Sequence, residues 1–396
     1  MFGENTVMKK ICFFGGTFNP VHNGHVELVK SLKDKLLCDE IVIMPNGNAP
    51  HKENETDKVH RYNMVKLAFS DISYVKVSDY EVKKETPSYT WETLSYFKKI
   101  HPDSKIYFVM GMDNLYAFKT WKKPDKICEL ATLVFFGRSG FESDEKEIAH
   151  LKEQYKADVI TFPFDYKCSS TTIREKISKG EYIFKEISTC VFDYILKNGL
   201  YGTENVSEYN EFEEVVKNLV DEKRFIHSIG VAQTAYLLAK KNGADPKKAY
   251  FAGLVHDIAK RLSYEEQLSY VKDIKLDKYE KQMKKMLHAP AGAGLLKKKY
   301  KIKDKEILSA VRLHTKGSPD MTLFEKIIFI SDYIEPNRDY DVVNYLREKT
   351  FFNIDEGIFI SCDETIKLLI KREEKIAPCL VEMRNAFLDK KRKEEL

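Results

Sequence analysis

The 396-residue sequence predicts two domains of different class, a parallel-sheet α/β domain followed by an all-α domain. Three observations carry this. The first half alternates short β-branched and aromatic runs with amphipathic stretches. That rhythm stops after Gly199-Leu200-Tyr201, where the polar stretch from Gly202 to Glu208 has the composition of a linker. From about Tyr209 onward the apolar spacing is helical almost throughout. The expected boundaries are residues 1–203 for the first domain, 204–208 for the linker and 209–396 for the second, in keeping with a prior of about 150 residues per domain.

In chain order, strands are expected at Lys10 to Phe14, Glu40 to Met44, Tyr74 to Val77, Lys105 to Met110, Thr132 to Phe136 and Asp158 to Phe162. Helical spacing at His25 to Leu37, Val59 to Phe69 and Thr90 to Ile100 supplies the crossovers, so the domain reads as Rossmann-like. In the second half helices are expected over Phe212 to Asn242, Lys247 to Arg261, Tyr264 to Val271, Lys305 to His314, Leu323 to Glu335 and Asp355 to Phe387. There is no internal repeat. The terminal KKRKEEL reads as a solvated helix end.

Composition removes several classes. Hydrophobic residues at 43% with 24 Phe and 22 Tyr can fill two cores, which excludes a disordered chain. The longest apolar runs fall far short of the about 20 residues a membrane span needs. The N-terminus lacks a secretory pattern, so a cytoplasmic protein is expected. Seven cysteines without CxxC spacing argue against a disulfide framework and a zinc-thiolate site. A net charge of +4 carries no nucleic-acid signature, so small phosphate-bearing partners are expected, with a homo-oligomer left open.

The segment GGTFNPVHNGH, Gly15 to His25, leaves the first strand and opens the first helix. Adjacent glycines allow a close backbone approach, and a helix N-terminus offers amides and a positive dipole end to phosphate. His22 and His25, three apart, can reach one phosphate and stabilise charge during its transfer. Downstream, CSSTTIR (Cys168 to Arg174) places Ser169, Ser170 and Thr171 where a helix should begin, as caps and phosphate donors.

Together these strings resemble the HxGH nucleotidyltransferase superfamily, in its GGTFxPxHxGH form with an ISSTxIR-like partner. PNGNAPHK (Pro45 to Lys52), SYTWETL (Ser88 to Leu94) and GMDNLYAFKTW (Gly111 to Trp121) are similar to segments of bacterial nicotinate mononucleotide adenylyltransferases, over residues 8 to 201. The resemblance implies that Gly15, Gly16, Thr17, Phe18, His22, Gly24, His25, Asp113, Ser169, Ser170, Thr171 and Arg174 bind ATP, with His22 and His25 catalytic. It implies that His51, Lys52, Thr90 and Trp121 bind nicotinate mononucleotide, the indole stacking on the pyridine ring. The reaction that the resemblance implies is attack of the mononucleotide phosphate on the ATP α-phosphate, with release of pyrophosphate and Mg2+ assisting. Preference for nicotinate over nicotinamide mononucleotide depends on backbone amides and stays open.

In the second half, His227, the pair His256 and Asp257, and Asp332 sit on separate helical stretches. Imidazole and carboxylate converging from several helices is how bundles build metal sites. Asp332 lies among Ile, Phe and Tyr, where a carboxylate is costly unless paired or ligated; capping or an Arg is the plain alternative. His288 and His314 enlarge the set toward a bridged metal pair. The pattern resembles HD-domain phosphohydrolases, and with HDIAK, HTKG and SDYIEP it is similar to the YqeK type, which cleaves diadenosine tetraphosphate into two ADP. That resemblance implies His227, His256, Asp257, His288, His314 and Asp332 as ligands of one or two divalent transition metals, iron or manganese. Asp257 and Lys260 would be catalytic, and Arg224 and Lys260, each one turn from a ligand, would meet phosphate. The usual HTT string reads His314-Thr315-Lys316 here, a departure on the substrate side. A nucleotidase acting on mononucleotides and a non-catalytic nucleotide sensor are the alternatives for this half.

Overall fold

A computed structural model of the chain describes residues 8–47, 56–137, 145–282 and 284–394. His51 and Lys52 lie outside the described residues. The chain divides into two compact units, Met1–Arg174 with Lys185–Val191, and Glu175–Phe184 with Phe192–Leu396.

The first unit is built on six parallel strands: β1 (Lys10–Gly16), β2 (Glu40–Pro45), β3 (Val75–Val77), β4 (Lys105–Gly111), β5 (Thr132–Gly137) and β6 (Val159–Pro163). Their order is β3-β2-β1-β4-β5-β6, so the winding reverses between β1 and β4. At such a switch point the loops leaving the strand ends diverge and open a crevice for ligand. Each expected strand is present, extended or trimmed by one or two residues at its ends. Helices cover the sheet, and both faces of its centre are apolar. Phe13, Phe108 and Phe135 pack with Leu94, Phe97 and Ile127 on one face. A fully buried Phe contributes about 2–3 kcal/mol, so this centre is a firm base for the loops above it.

The second unit is helical among the described residues. The expected helix Phe212 to Asn242 is two, Asn210–Leu219 and Glu222–Asn242. Val220 is extended and Asp221 restarts the helix by accepting the Arg224 N–H, a cap that overrides continuous apolar spacing. The helix expected over Lys247 to Arg261 ends at Val255, and His256 to Arg261 lie in turns. The stretch expected over Asp355 to Phe387 is also two helices, Ile354–Lys371 and Pro378–Glu394, separated where Pro378 starts the second. Helices beyond those expected include His288–Lys298 and Val343–Phe352. The first contains Pro290, Gly292 and Gly294, which read as breakers. Pro290 sits in the first turn, where its missing N–H costs nothing. A Cβ on Gly294 would stand 2.2 Å from the Tyr270 carbonyl oxygen, so glycine there allows close packing on Tyr264–Val271.

Residues 202–208 are packed within the second unit. Val206 is buried, and the Glu204 N–H donates to the Tyr236 hydroxyl at 2.7 Å. All seven cysteines are free thiols. Among the described residues no helix is long and apolar enough to cross a membrane.

Candidate active sites

The loop leaving β1 places the HxGH residues at the sheet's switch point. His22 is the N-cap of Asn23–Leu36, and its N–H donates to His25 Nδ1 at 3.1 Å. That bond requires a lone pair on His25 Nδ1, so a neutral His25 carries its proton on Nε2. The two rings stack with centroids 3.7 Å apart. Burial pushes His22 down to about 4, and burial followed by the His22 charge holds His25 well below the usual imidazole value. The pair is neutral near pH 7 and can offer N–H donors without charge.

Glycine is required where the loop turns back on itself. A Cβ on Gly16 would stand 2.9 Å from the Phe18 ring, and one on Gly24 would stand 2.4 Å from the Tyr166 ring. Phe18 has φ +52 and is buried edge-on to His25. Opposite, Ser169 caps Ser170–Lys179, its Oγ accepting the Thr172 N–H at 3.2 Å. Ser170 Oγ donates to the Pro20 carbonyl at 2.9 Å, and Arg174 donates to the Asn19 carbonyl at 2.7 Å and to Thr171 Oγ1 at 3.3 Å. The structure therefore brings Thr17, Phe18, His22, Gly24 and His25 together with Ser169, Ser170, Thr171 and Arg174. Two helix N-termini converge there with their positive dipole ends, an arrangement suited to a polyphosphate.

Asp113 is exposed just beyond β4, close against Gly111. Thr90 opens the helix Thr90–Ile100, and Trp121 is half-buried against Phe118 and Phe108. Among the described residues the ring partners of Trp121 are Phe108 and Phe118, and Thr90 is not brought against it by a hydrogen bond or ring contact. Two residues that the sequence reading missed support the loop. Arg61 is 1% exposed and donates to the carbonyls of Thr17 and Asn46, both at 2.8 Å, and to those of Thr56 at 3.3 Å and Gly47 at 3.4 Å. Glu81 accepts from Thr93 Oγ1 at 2.8 Å and from the Gly47 N–H at 3.4 Å. Arg61 had a faint signal, an Arg on the apolar side of a short helix.

In the helical unit the six expected ligands gather. His256, His288 and His314 each direct Nδ1 at a backbone carbonyl three residues earlier, those of Gly253, Lys285 and Val311, at 2.7, 2.9 and 2.7 Å. Each ring thereby donates from Nδ1 and leaves a lone pair on Nε2, the tautomer a metal ligand needs. His256 Nε2 is buried without a hydrogen-bond partner. Asp257 Oδ1 lies 3.2 and 3.3 Å from the Nε2 atoms of His288 and His314, which themselves stand 3.3 Å apart. Lone pairs facing one another in a buried pocket repel unless a cation lies among them. His227 Nε2 is 3.1 Å from Asp332 Oδ1. The ligand atoms of His227, His256 and Asp332, and separately of His256, Asp257 and His314, all lie within 4.8 Å of one another. The donor set fits a divalent transition metal.

Burial alone would lower His227 and does lower His256, to about 3; the Asp332 and Glu335 hydrogen bonds instead lift His227 to about 9. Burial would also raise Asp332, yet His227, His256 and Arg338 hold it well below the usual carboxylate range. The plain alternative for Asp332 is present, since Arg338 donates to its Oδ1 at 2.6 Å, while the same carboxylate stands in the candidate metal group. Arg224 is paired with Asp257. Lys260 is not on a helix continuing from His256; it lies in the turn, with Nζ 2.9 Å from His288 Nε2 and 3.8 Å from Asp257 Oδ1. The turn forms because the helix stops at Val255, carrying His256 and Asp257 into the centre. Thr315 Oγ1 lies 3.0 Å from Nε2 of both His288 and His314, and Lys316 is paired with Asp277.

Comparison with known proteins agrees with this division. Residues 13–176 match the cytidylyltransferase-like family and residues 224–337 match the HD domain. The class is therefore an α/β nucleotidyltransferase fold joined to an HD domain. A Clostridium tetani protein named probable nicotinate-nucleotide adenylyltransferase is 44% identical over 49% of this chain and 100% of its own length. A Mycoplasma genitalium protein named probable nicotinate-nucleotide adenylyltransferase/Ap4A hydrolase is 30% identical over 83% of this chain and 88% of its own. A solved Clostridium acetobutylicum structure, described as a predicted HD superfamily hydrolase involved in NAD metabolism, is 36% identical, covers 46% of this chain and 97% of that one, and has a TM-score of 0.44. The chain belongs to the family of nicotinate-nucleotide adenylyltransferases fused to an HD-domain Ap4A hydrolase.

Proposed function

We propose that the first half transfers AMP from ATP to nicotinate mononucleotide, giving deamido-NAD and pyrophosphate. The observation that carries it is the convergence of the His22 and Ser169 helix N-termini, joined through Arg174 and Asn19. A mononucleotide phosphate oxygen attacks the ATP α-phosphorus, and the bond to the pyrophosphate oxygen breaks. His22 and His25, Ser169 to Thr171 and Arg174 hold the phosphates and stabilise the charge that moves onto them. Asp113 contacts the nucleotide, while Thr90 and Trp121 hold the pyridine mononucleotide, with Mg2+ accompanying ATP. A domain boundary at 203, with 204–208 as the connection to 209–396, is supported by the Clostridium tetani protein, whose whole length aligns with 199 residues here. Pyrophosphate release with nicotinate and with nicotinamide mononucleotide tests the activity and its preference together.

The second half hydrolyses diadenosine tetraphosphate to two ADP. Its carrying observation is the set of three imidazoles, each donating from Nδ1 to a carbonyl and presenting Nε2 to Asp257 or to the buried space beside it. His227, His256, Asp257, His288, His314 and Asp332 would hold one or two divalent metals, iron or manganese. An ion held there supplies Lewis acidity toward phosphate oxygens and water. Water adds to one of the two inner phosphorus atoms, and the central anhydride bond breaks, leaving ADP on both sides. Arg224 and Lys260, exchanging Asp257 for substrate, neutralise phosphate charge. Chromatography of the products from manganese-loaded protein tests this. ADP alone supports it; AMP and ATP would show asymmetric cleavage and overturn it.

A further inference from the structure

We propose that Glu335 is a positioning residue for the metal centre, holding the His227 imidazole with Nε2 beside Asp332 and strengthening that nitrogen as a ligand by its charge. The proposal rests on the metal-centre reading above. Of the four histidines of the centre, three send Nδ1 to a backbone carbonyl, whereas His227 Nδ1 stands 3.2 Å from Glu335 Oε1. A carbonyl and a carboxylate select the same tautomer. Only the carboxylate adds a full negative charge behind the ring, which makes Nε2 a better donor.

The surroundings are built for that carboxylate. Glu335 is 2% exposed and stands just past the helix Leu323–Ile334, three residues after Asp332. The two acids therefore bracket His227, one at each ring nitrogen. Glu335 Oε2 accepts from the Asn337 N–H at 2.7 Å and from Asn337 Nδ2 at 3.0 Å. Arg338 donates to Asp332 at 2.6 Å and lies 3.9 Å from Glu335 Oε1, so one guanidinium faces both acids. Gly230 follows His227 by nearly one turn, and a Cβ there would stand 2.4 Å from Glu335 Oε2 and 3.1 Å from Asn337 Nδ2. The helix thus carries no side chain at the point where the carboxylate enters.

The test is metal retention by the full chain. Wild type, Glu335→Gln, Glu335→Ala and Gly230→Ala are loaded with manganese and dialysed against graded chelator, and metal per chain is measured by elemental analysis, with circular dichroism to confirm folding. Glu335→Gln keeps one acceptor oxygen, enough for Nδ1–H with its amide NH2 then facing Asn337, and removes the charge; Gly230→Ala keeps the charge and displaces it. Manganese leaving at about 10–100-fold lower chelator in Glu335→Gln, in the same direction in Gly230→Ala and more so in Glu335→Ala, is the expected result. Wild-type retention in folded Glu335→Gln and Gly230→Ala would reduce Glu335 to a cap for Asn337 and overturn the proposal. A wild type that binds no stoichiometric manganese would overturn the metal-centre reading itself, and the proposal with it.

Discussion

The two sites are built from opposite materials. The first uses backbone: two helix N-termini and a glycine loop at the end of a parallel sheet, with side chains added at the rim. The second uses side chains almost alone, six imidazoles and carboxylates delivered from separate helices and a turn. A backbone site must be written as a contiguous string, because neighbouring amides make it. A side-chain site can be scattered over a hundred residues, provided each side chain is oriented by its own partner. The first kind should be sensitive to added atoms, the second to removed ones.

The largest expected effect is on the second site. Asp257→Ala should take diadenosine tetraphosphate hydrolysis to background, leaving adenylyl transfer within about twofold, since removing a shared acid leaves Arg224 unpaired and the histidines unbridged. Adenylyl transfer falling in parallel would break the comparison. His25→Ala should lower kcat/KM for adenylyl transfer by about 10²–10³-fold, the loss of one preorganised donor, with hydrolysis unchanged. Gly24→Ala, whose Cβ meets the Tyr166 ring, should cost about 10–100-fold in the same constant by shifting the loop. Equal activity would show that the loop yields freely.

Chelation should lower the melting transition of the helical unit by roughly 5–10 °C, from about 2.7 kcal/mol of binding energy at a hundredfold excess over Kd. The smallest effect is on pH. Because burial holds His22 near 4, the acid limb of adenylyl transfer should carry no break near 6.5 from this pair. The unfolded chain binds a proton on His22 below about 6.5 that the folded chain refuses until about 4. Stability should therefore fall as pH drops through that window, and urea melts across it would check the sign.

Legibility follows the same division. Every strand of the sheet was readable, because a buried parallel strand is an apolar run bounded by turns. The GGTF and SSTTIR strings marked in the same way the loop and the helix start that the structure brings together. The helical half was readable as helical, but its breaks were not. Asp221 restarts a helix inside uninterrupted apolar spacing, and His288–Lys298 is helical despite Pro290, Gly292 and Gly294. Gly294 answers to a neighbour, the Tyr270 carbonyl, which no local pattern reveals. The six candidate ligands gather as their types and order suggested. Their orienting partners were invisible, because three are backbone carbonyls and the fourth, Glu335, looks like an ordinary residue at a helix end. Arg61 was missed for the same reason: its partners are carbonyls.

Arg61 also sets the electrical polarity of the loop it supports. In a trans peptide the C=O and N–H point in opposite directions, so a carbonyl drawn toward a cation turns the next amide away from it. By engaging the oxygens of Thr17 and Asn46, Arg61 turns the N–H groups of Phe18 and Gly47 outward from itself. The starts of the two loops, after β1 and after β2, become a layered dipole, oxygens inward on a permanent positive charge and amide hydrogens on the opposite side. A guanidinium keeps that charge at any working pH. Replacing it with an apolar residue of similar length would preserve the packing volume while releasing the peptides to rotate, an electrical lesion in a loop whose shape could otherwise survive.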